Sequence, residues 1–416
     1  MITLVAMLFV AGAPLTLQQA QAEARAHAPD AVLLEARLRG AQGLARDARR
    51  VFQQNPSVSV SYSPGALLGN PDESAVGVGV QLPLDLSGSW GPRAASGAAL
   101  ERRASHERDD GLRALDEAVA IAVADLALAQ RQVAQAGRTA DLLAVAADAA
   151  KREMDVGTGN QLDLDAAALD LADARSGTAE ARGALEAAQA SLGRVLARDG
   201  FSEITVADTQ ETVSVDPAGD LDARIAADPR MLAAAAELES AQAELSMNER
   251  LIWPTLTLGL DYSRKRRDIP AGSFSGSPGL GGLSANWADA EVGFSASVPL
   301  PLFDRRSQGR AQSTARILAA DGQLAVARAD VRQELQKSGS GLQAAARKVS
   351  ELSGTDEMLD RDFQLLGKAL RAGALDAVAR AQAVRRLVEM QRKVALAVHD
   401  LRVARAHWTR WVDHGP

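Results

Sequence analysis

Four short segments of the chain alternate apolar and polar residues in period two, whereas most of the remainder repeats its apolar positions every three or four residues. The alternating segments cover about 56–63, 75–84, 255–264 and 289–300, and each reads as a β-strand. In the first, PSVSVSYS, Val58, Val60 and Tyr62 share one face and Ser57, Ser59 and Ser61 the other. The remaining segments repeat the division. Val76, Val78, Val80 and Leu82, then Leu256, Leu258, Leu260 and Tyr262, then Val292, Phe294 and Val298 take the apolar face. Glycine, serine and threonine dominate the second face, together with Gln81, Asp261 and Glu291.

An apolar face backed by a small polar one fits two architectures: a sheet lying on a core, or a transmembrane barrel lining water. Three features favour the barrel. The strand lengths approach the ~9–11 residues that cross a bilayer as tilted strand. Aromatic residues collect at strand ends, with Tyr62, Tyr262 and Trp287 toward the loops and Trp90 and Trp253 toward the helices. The polar face is also small, as an open lumen requires. Four strands do not close a barrel, and open edges are not tolerated in lipid. A transmembrane reading therefore demands several copies, and three would supply twelve strands.

The helical stretches carry a heptad seam. Leu112, Leu115, Val119, Ala122, Leu126, Ala129, Val133, Ala136, Ala140, Leu143 and Ala147 follow spacings of three and four, as coiled-coil packing requires. After GTGN at 157–160 the pattern returns through Leu164, Ala167, Leu171, Leu185 and Leu192. A helix over 92–150 would be roughly 85 Å long at ~1.5 Å per residue.

The order helix, strand, strand, long helix, turn, helix is written twice. DPRMLAAAAELESAQAEL at 228–245 echoes APDAVLLEARLRGAQGLA at 28–45, and each runs on to a proline and an alternating strand. The second strands end alike, in VGVGVQLPLDL and VGFSASVPLPLFD. Gly91 and Gly309 open the long helices, and Gly157 and Gly373 punctuate them. The repeats are 14–215, with a helical hairpin over about 92–197, and 216–416, with one over about 305–413.

Composition narrows the function. The 416 residues are 47% hydrophobic but only 3% aromatic, because alanine supplies much of the apolar content and favours close helix packing over a thick core. The formal net charge is −7, so no polybasic surface invites nucleic acid. No cysteine is present, which excludes disulfides, thiolate metal sites and an acyl anchor on cysteine. His399 and His407 lie two helical turns apart, too far to hold one ion between them. No phosphate loop, nucleophile elbow or metal triad occurs, so neither an enzyme nor a cofactor is expected. GSFSGSPGLGG at 272–282 reads as a flexible loop. Residues 1–13 read as a signal peptide, with an apolar run over Ile2–Val10 and small residues Ala11, Gly12 and Ala13 before Pro14. No other run reaches the ~18 apolar residues of a spanning helix.

The doubled plan, the proline-led strands, the LPLDL and LPLFD strand exits and the glycines at the helix turns resemble the TolC family of outer-membrane efflux channels over essentially the whole chain after Pro14. The resemblance implies a mainly α chain with a small transmembrane β part. It implies a homotrimer in the outer membrane of a Gram-negative bacterium: a twelve-stranded barrel, four strands per chain, continued by a long α-helical barrel in the periplasm. Residues near 200–220 and the chain ends would build a mixed equatorial part.

The implied partners are outer-membrane lipid, a periplasmic adaptor (membrane fusion protein) and an inner-membrane pump of the resistance-nodulation-division class. The implied function is passive conduction of metal cations or small toxic compounds from pump and adaptor to the exterior. The tip stretch GTGNQLDLDAAALDLADA is most similar to the heavy-metal (cobalt-zinc-cadmium) branch. Carried over by position, the adaptor-contact tips are Val156, Gly157 and Thr158 in the first turn and Ala372, Gly373 and Ala374 in the second. Asp376 and Arg371 are the periplasmic gate candidates, since three carboxylates on a threefold axis repel one another and constrict a passage. Val58, Val60, Leu256, Leu258, Leu260 and Phe294 would face lipid. The alternative is a soluble or periplasmic helical coiled-coil scaffold without transport activity, and for Asp376 a helix N-terminal carboxylate facing the dipole.

Overall fold

The computed structural model describes residues 14–52, 54–64, 73–198, 204–207, 221–251, 255–268, 286–299, 306–372 and 377–412. The signal-peptide reading of 1–13 and the loop reading of 272–282 lie outside the described residues, as does Trp253. The elements run α1 (Leu17–His27), α2 (Pro29–Ala48), β1 (Ser57–Ser63), β2 (Glu73–Asp85), α3 (Trp90–Asp155) and α4 (Gln161–Val195). The order then recurs with α5 (Leu221–Ala227), α6 (Pro229–Arg250), β3 (Thr255–Asp268), β4 (Asn286–Ser297), α7 (Ser307–Glu351), α8 (Thr355–Arg371) and α9 (Ala377–Val412).

Two departures from the sequence pattern stand out. Each repeat opens with a short extra helix, α1 and α5, that the periodicity alone does not isolate. A proline ends each of them: Pro29 and Pro229 take the first position of α2 and α6, where a missing N–H costs nothing. Thr16 and Gln19 start α1 with a reciprocal capping box. The second departure is a break in the helical run expected from 305 onward. Residues 352–354 form a turn between α7 and α8, and Gly354 supplies the left-handed backbone there, with φ of 78°. Asp356 and Glu357 follow in the first turn of α8, the charge that suits a helix start.

The chain gathers into two compact units that cut across the repeats, one comprising 1–38, 105–232 and 326–416 and the other 39–104 and 233–325. The first unit is helical. Each repeat has a core of its own there. Ala20, Ala24, Leu115, Val119, Leu126 and Leu192 form one, and Ile225, Val331, Leu335, Leu342, Trp408 and Trp411 another. Between α3, α4, α8 and α9 a third collects Leu142, Leu143, Ala146, Leu366, Leu370 and Val384. The seam residues Leu115, Val119, Ala122, Leu126, Ala129 and Leu143 are buried, and so are Ala124, Ala127, Leu142 and Ala146 beside them. Thus α3 buries two adjoining stripes. Polar pairs join α3 to α9: Arg410 reaches Glu117 at 3.0 Å and Asp110 at 2.9 Å, and His399 meets Asp125 at 2.7 Å.

The second unit holds the sheet, in which all four strands pair antiparallel in the order β1-β2-β3-β4. β2 and β3 belong to different repeats, so their pairing makes one sheet of two hairpins. Asp85 closes β2 and starts α3: its carboxylate accepts from the Ser87 backbone N–H at 2.9 Å and the Ser89 hydroxyl at 2.6 Å. The helix ends are tied by charge and by small residues. Arg316 reaches Glu237 at 2.9 Å, Arg103 reaches the same carboxylate at 2.6 Å, and the buried Ser96 and Ser240 hydroxyls meet at 3.2 Å. Gly97 lets α3 approach α2, where a Cβ would lie 2.7 Å from that of Ala48.

Candidate functional surfaces: the sheet faces and the helical tip

Cross-strand register turns the period-two pattern into rows. Val58, Val80, Leu260 and Phe294 stand side by side on the four strands, and the next row is Val60, Val78, Tyr262 and Val292. Leu82, Leu258 and Ala296 form a third, and Leu84 pairs Leu256. Most of these apolar side chains are uncovered: Val60 is 74% exposed and Phe294 84%, and Val58, Leu258 and Leu260 are exposed as well, whereas Leu82 and Leu84 are half-buried. Leu256 is half-buried. From Leu84 to Val76 the band runs eight residue steps, about 26 Å along the strand at ~3.3 Å per residue. A soluble sheet would bury such a face.

The opposite face is built from small groups that interlock. Gly79 lies between Ser59 and Asp261 in register, and a Cβ at 79 would collide with the Asp261 carboxylate and the Ser59 hydroxyl. A Cβ at Gly77 would lie 2.7 Å from the Ser61 hydroxyl, and one at Gly259 would collide with that of Ser295. The glycines thus keep the polar side chains of adjacent strands lying flat across the sheet. β2, β3 and β4 begin or end beyond the apolar pattern, at Glu73, Asp268 and Asn286. There the backbone ladder continues although the side chains turn polar.

The turn between α3 and α4 is closed by its own backbone. Gly157, with φ of 78°, donates to the Met154 carbonyl at 3.0 Å, and Thr158 and Gly159 both donate to that of Glu153, at 2.9 and 2.8 Å. Gly159 has no room for a side chain, since a Cβ would lie 2.9 Å from the Met154 nitrogen. Asn160 caps α4 by accepting from the Asp163 backbone N–H at 2.9 Å. With its polar groups satisfied, this tip presents Val156, 74% exposed, and Leu162, 77% exposed. Thr158 is exposed beside them. Periodicity did not single out Gly159, Asn160 or Leu162; the G-x-G-N spacing was their available signal.

In the second turn, Gly373, Ala374 and Asp376 lie outside the described residues. Ala372 caps α8 and is exposed. Arg371 donates through Nε to the Gly367 carbonyl of its own helix at 3.2 Å. It also lines a groove of about 470 Å³ with Arg138, Asp141, Leu142, Asp360 and Phe363. Among the described residues no group of three or more His, Asp or Glu could hold a metal ion, and no helix is long and apolar enough to cross a membrane.

Residues 221–408 match the sequence model of the outer membrane efflux protein family. No curated protein sequence matches the chain. Among solved structures, the CusC transmembrane channel superposes with a TM-score of 0.76 at 18% identity, covering 96% of this chain and 92% of that one. The outer membrane protein VceC of Vibrio cholerae does so with 0.76 at 16%, covering 96% of each chain. The open MtrE outer membrane channel of Neisseria gonorrhoeae gives 0.75 at 17%, covering 95% of this chain and 88% of that one. Residues 221–408 thus carry the sequence pattern of the outer membrane efflux protein family, and the chain has the fold of the outer-membrane channels CusC, VceC and MtrE.

Proposed function

We propose that the protein is the outer-membrane duct of a tripartite efflux system. A homotrimer passively conducts metal cations or small toxic compounds that an inner-membrane pump of the resistance-nodulation-division class and a periplasmic adaptor deliver. The observation that carries this reading is the four-stranded sheet, with an uncovered apolar face, a small polar face, and edges at β1 and β4. In lipid each backbone polar group at those edges needs a partner, and a second copy of the same sheet supplies it. Three copies give twelve strands around a lumen lined by serine, threonine and glycine. Conduction along such a wall needs no covalent chemistry.

The tip residues Val156, Gly157 and Thr158, with Ala372, Gly373 and Ala374 of the second turn, meet the adaptor. A self-satisfied backbone and exposed apolar groups at the first tip favour a protein contact there. Asp376 and Arg371 are the gate candidates. The heavy-metal branch is the substrate class favoured by the tip stretch. A soluble scaffold would have to leave the apolar rows of the sheet in water, which disfavours it.

The deciding experiment is the mass of the native particle from fractionated envelopes, measured in mild detergent with the detergent contribution removed. A trimer confined to the outer-membrane fraction is expected. A monomer or dimer soluble without detergent would remove the duct.

A further inference from the structure

Past Tyr262, β3 continues as Ser263, Arg264, Lys265, Arg266 and stays in register with both neighbours. Alternation puts Arg264 and Arg266 on the face of Leu258, Leu260 and Tyr262, while Lys265 falls on the polar face. Lys265 lies 3.6 Å from Glu291 on the polar face. Arg264 stands between Val76 and Ala290, and Arg266 is aligned with Ser74 and Ala288. Both arginines are exposed on the membrane side of the sheet.

Their depth is informative. At ~3.3 Å per residue, Arg264 lies about 7 Å beyond Tyr262, level with Val76 at the end of the apolar band, and Arg266 lies about 13 Å beyond Tyr262, past that end. That is the step from an interfacial aromatic to the headgroup layer. The chain enters and leaves the sheet through α2, α3, α6 and α7 at the other end of the strands, so Arg264 and Arg266 lie at the end away from those helices. If the helices lie in the periplasm, as the proposed function holds, the arginines reach the outer leaflet.

Guanidinium groups recognise phosphate through paired N–H donors, and their stems lie along apolar surface while the charge stays at the interface. We propose that Arg264 and Arg266 form a binding site for the phosphate groups of the phosphorylated glycolipid of the outer leaflet, one site per protomer on the outside of the barrel. This rests on the outer-membrane reading above.

The test uses the full-length trimer in nanodiscs, comparing the wild type with R264Q/R266Q and with Lys265→Gln as the polar-face control. Thermal melting is followed with bisphosphorylated lipid A, with the same lipid dephosphorylated, and with inorganic phosphate, all in EDTA to remove bridging cations. A ligand that binds the folded trimer raises its melting temperature. The phosphorylated lipid should raise that of the wild type and of Lys265→Gln, and the double variant should lose more than half of the rise. Dephosphorylated lipid and inorganic phosphate should have little effect. An equal rise in the double variant, no rise in the wild type, or an equal effect of inorganic phosphate would overturn the proposal. Failure of the wild type to enter a bilayer at all would instead overturn the outer-membrane reading.

Discussion

Leu258 stands directly opposite Leu82 on one side and Ala296 on the other, in a row of the sheet that leaves its side chain 40% exposed. Its neighbour Thr257 points to the opposite face. In a barrel the first meets hydrocarbon and the second water. Leu258→Arg should therefore lose about 2–4 kcal/mol of membrane stability and yield less trimer in the outer-membrane fraction. Thr257→Arg should assemble normally and lower single-channel conductance. Equal assembly and equal conductance of the two variants would reverse or abolish the face assignment.

The helical tip separates two kinds of glycine. Gly157 has open space around it but a left-handed backbone, so Gly157→Ala should cost roughly 1–2 kcal/mol locally. Gly159 instead abuts backbone, 2.9 Å from the Met154 nitrogen and 3.0 Å from the Glu153 carbonyl carbon, so Gly159→Ala forces the turn to move. Adaptor binding, measured by surface plasmon resonance, should fall more for Gly159→Ala than for Gly157→Ala, with helix content unchanged. Binding undiminished in both would mean that the adaptor does not read this tip.

Arg410 satisfies two carboxylates of α3, Asp110 and Glu117, from a position that is largely buried. Arg410→Met keeps the stem and removes the charge, leaving both acids short of a donor. A loss of about 2 kcal/mol is expected in urea unfolding. Adding Glu117→Gln should recover part of it in a double-mutant cycle. Strict additivity would show that the pairs contribute nothing to holding α9 on α3.

Asp400 sits between Lys348, 2.8 Å away, and His399. Burial pulls its carboxyl up, but Lys348 and then His399 outweigh it, and the group lies below its usual value. A depressed carboxyl stabilises the fold above its unfolded pKa, about 3.9, and that contribution is lost as pH falls through the folded value. Asp400→Asn should flatten the acid limb of a melting-temperature profile between pH 5 and pH 2, while costing no more than ~1 kcal/mol at pH 7, since the pair is half exposed. An unchanged acid limb would exclude Asp400 as a contributor.

Much of the architecture was already legible as periodicity. Alternation marks Val58 to Tyr62 and Leu256 to Tyr262 as two-faced strands because side-chain direction in a strand is a local property. The seam from Leu112 to Ala147 marks α3 for the same reason. Legibility failed where one signal hid another. Arg264 to Asp268 belong to β3, but charge interrupts the apolar pattern while the backbone ladder runs on. The turn at 352–354 sits inside a stretch whose alanines and leucines keep their spacing, and only Ser-Gly-Thr before Asp356 announces it.

By itself the sequence determined element type, the doubled plan and the division of each strand into an apolar and a small polar face, all consequences of local geometry. Only the tertiary structure decided which elements meet. It joined β2 to β3 across the two repeats, laid Asp261 over Gly79, and brought Arg410 to Asp110 some 300 positions away. The physical reason is that a pattern specifies what a face will bury or bind but not which face it will find. Pairing is settled by register, charge and fit among surfaces that lie far apart along the chain.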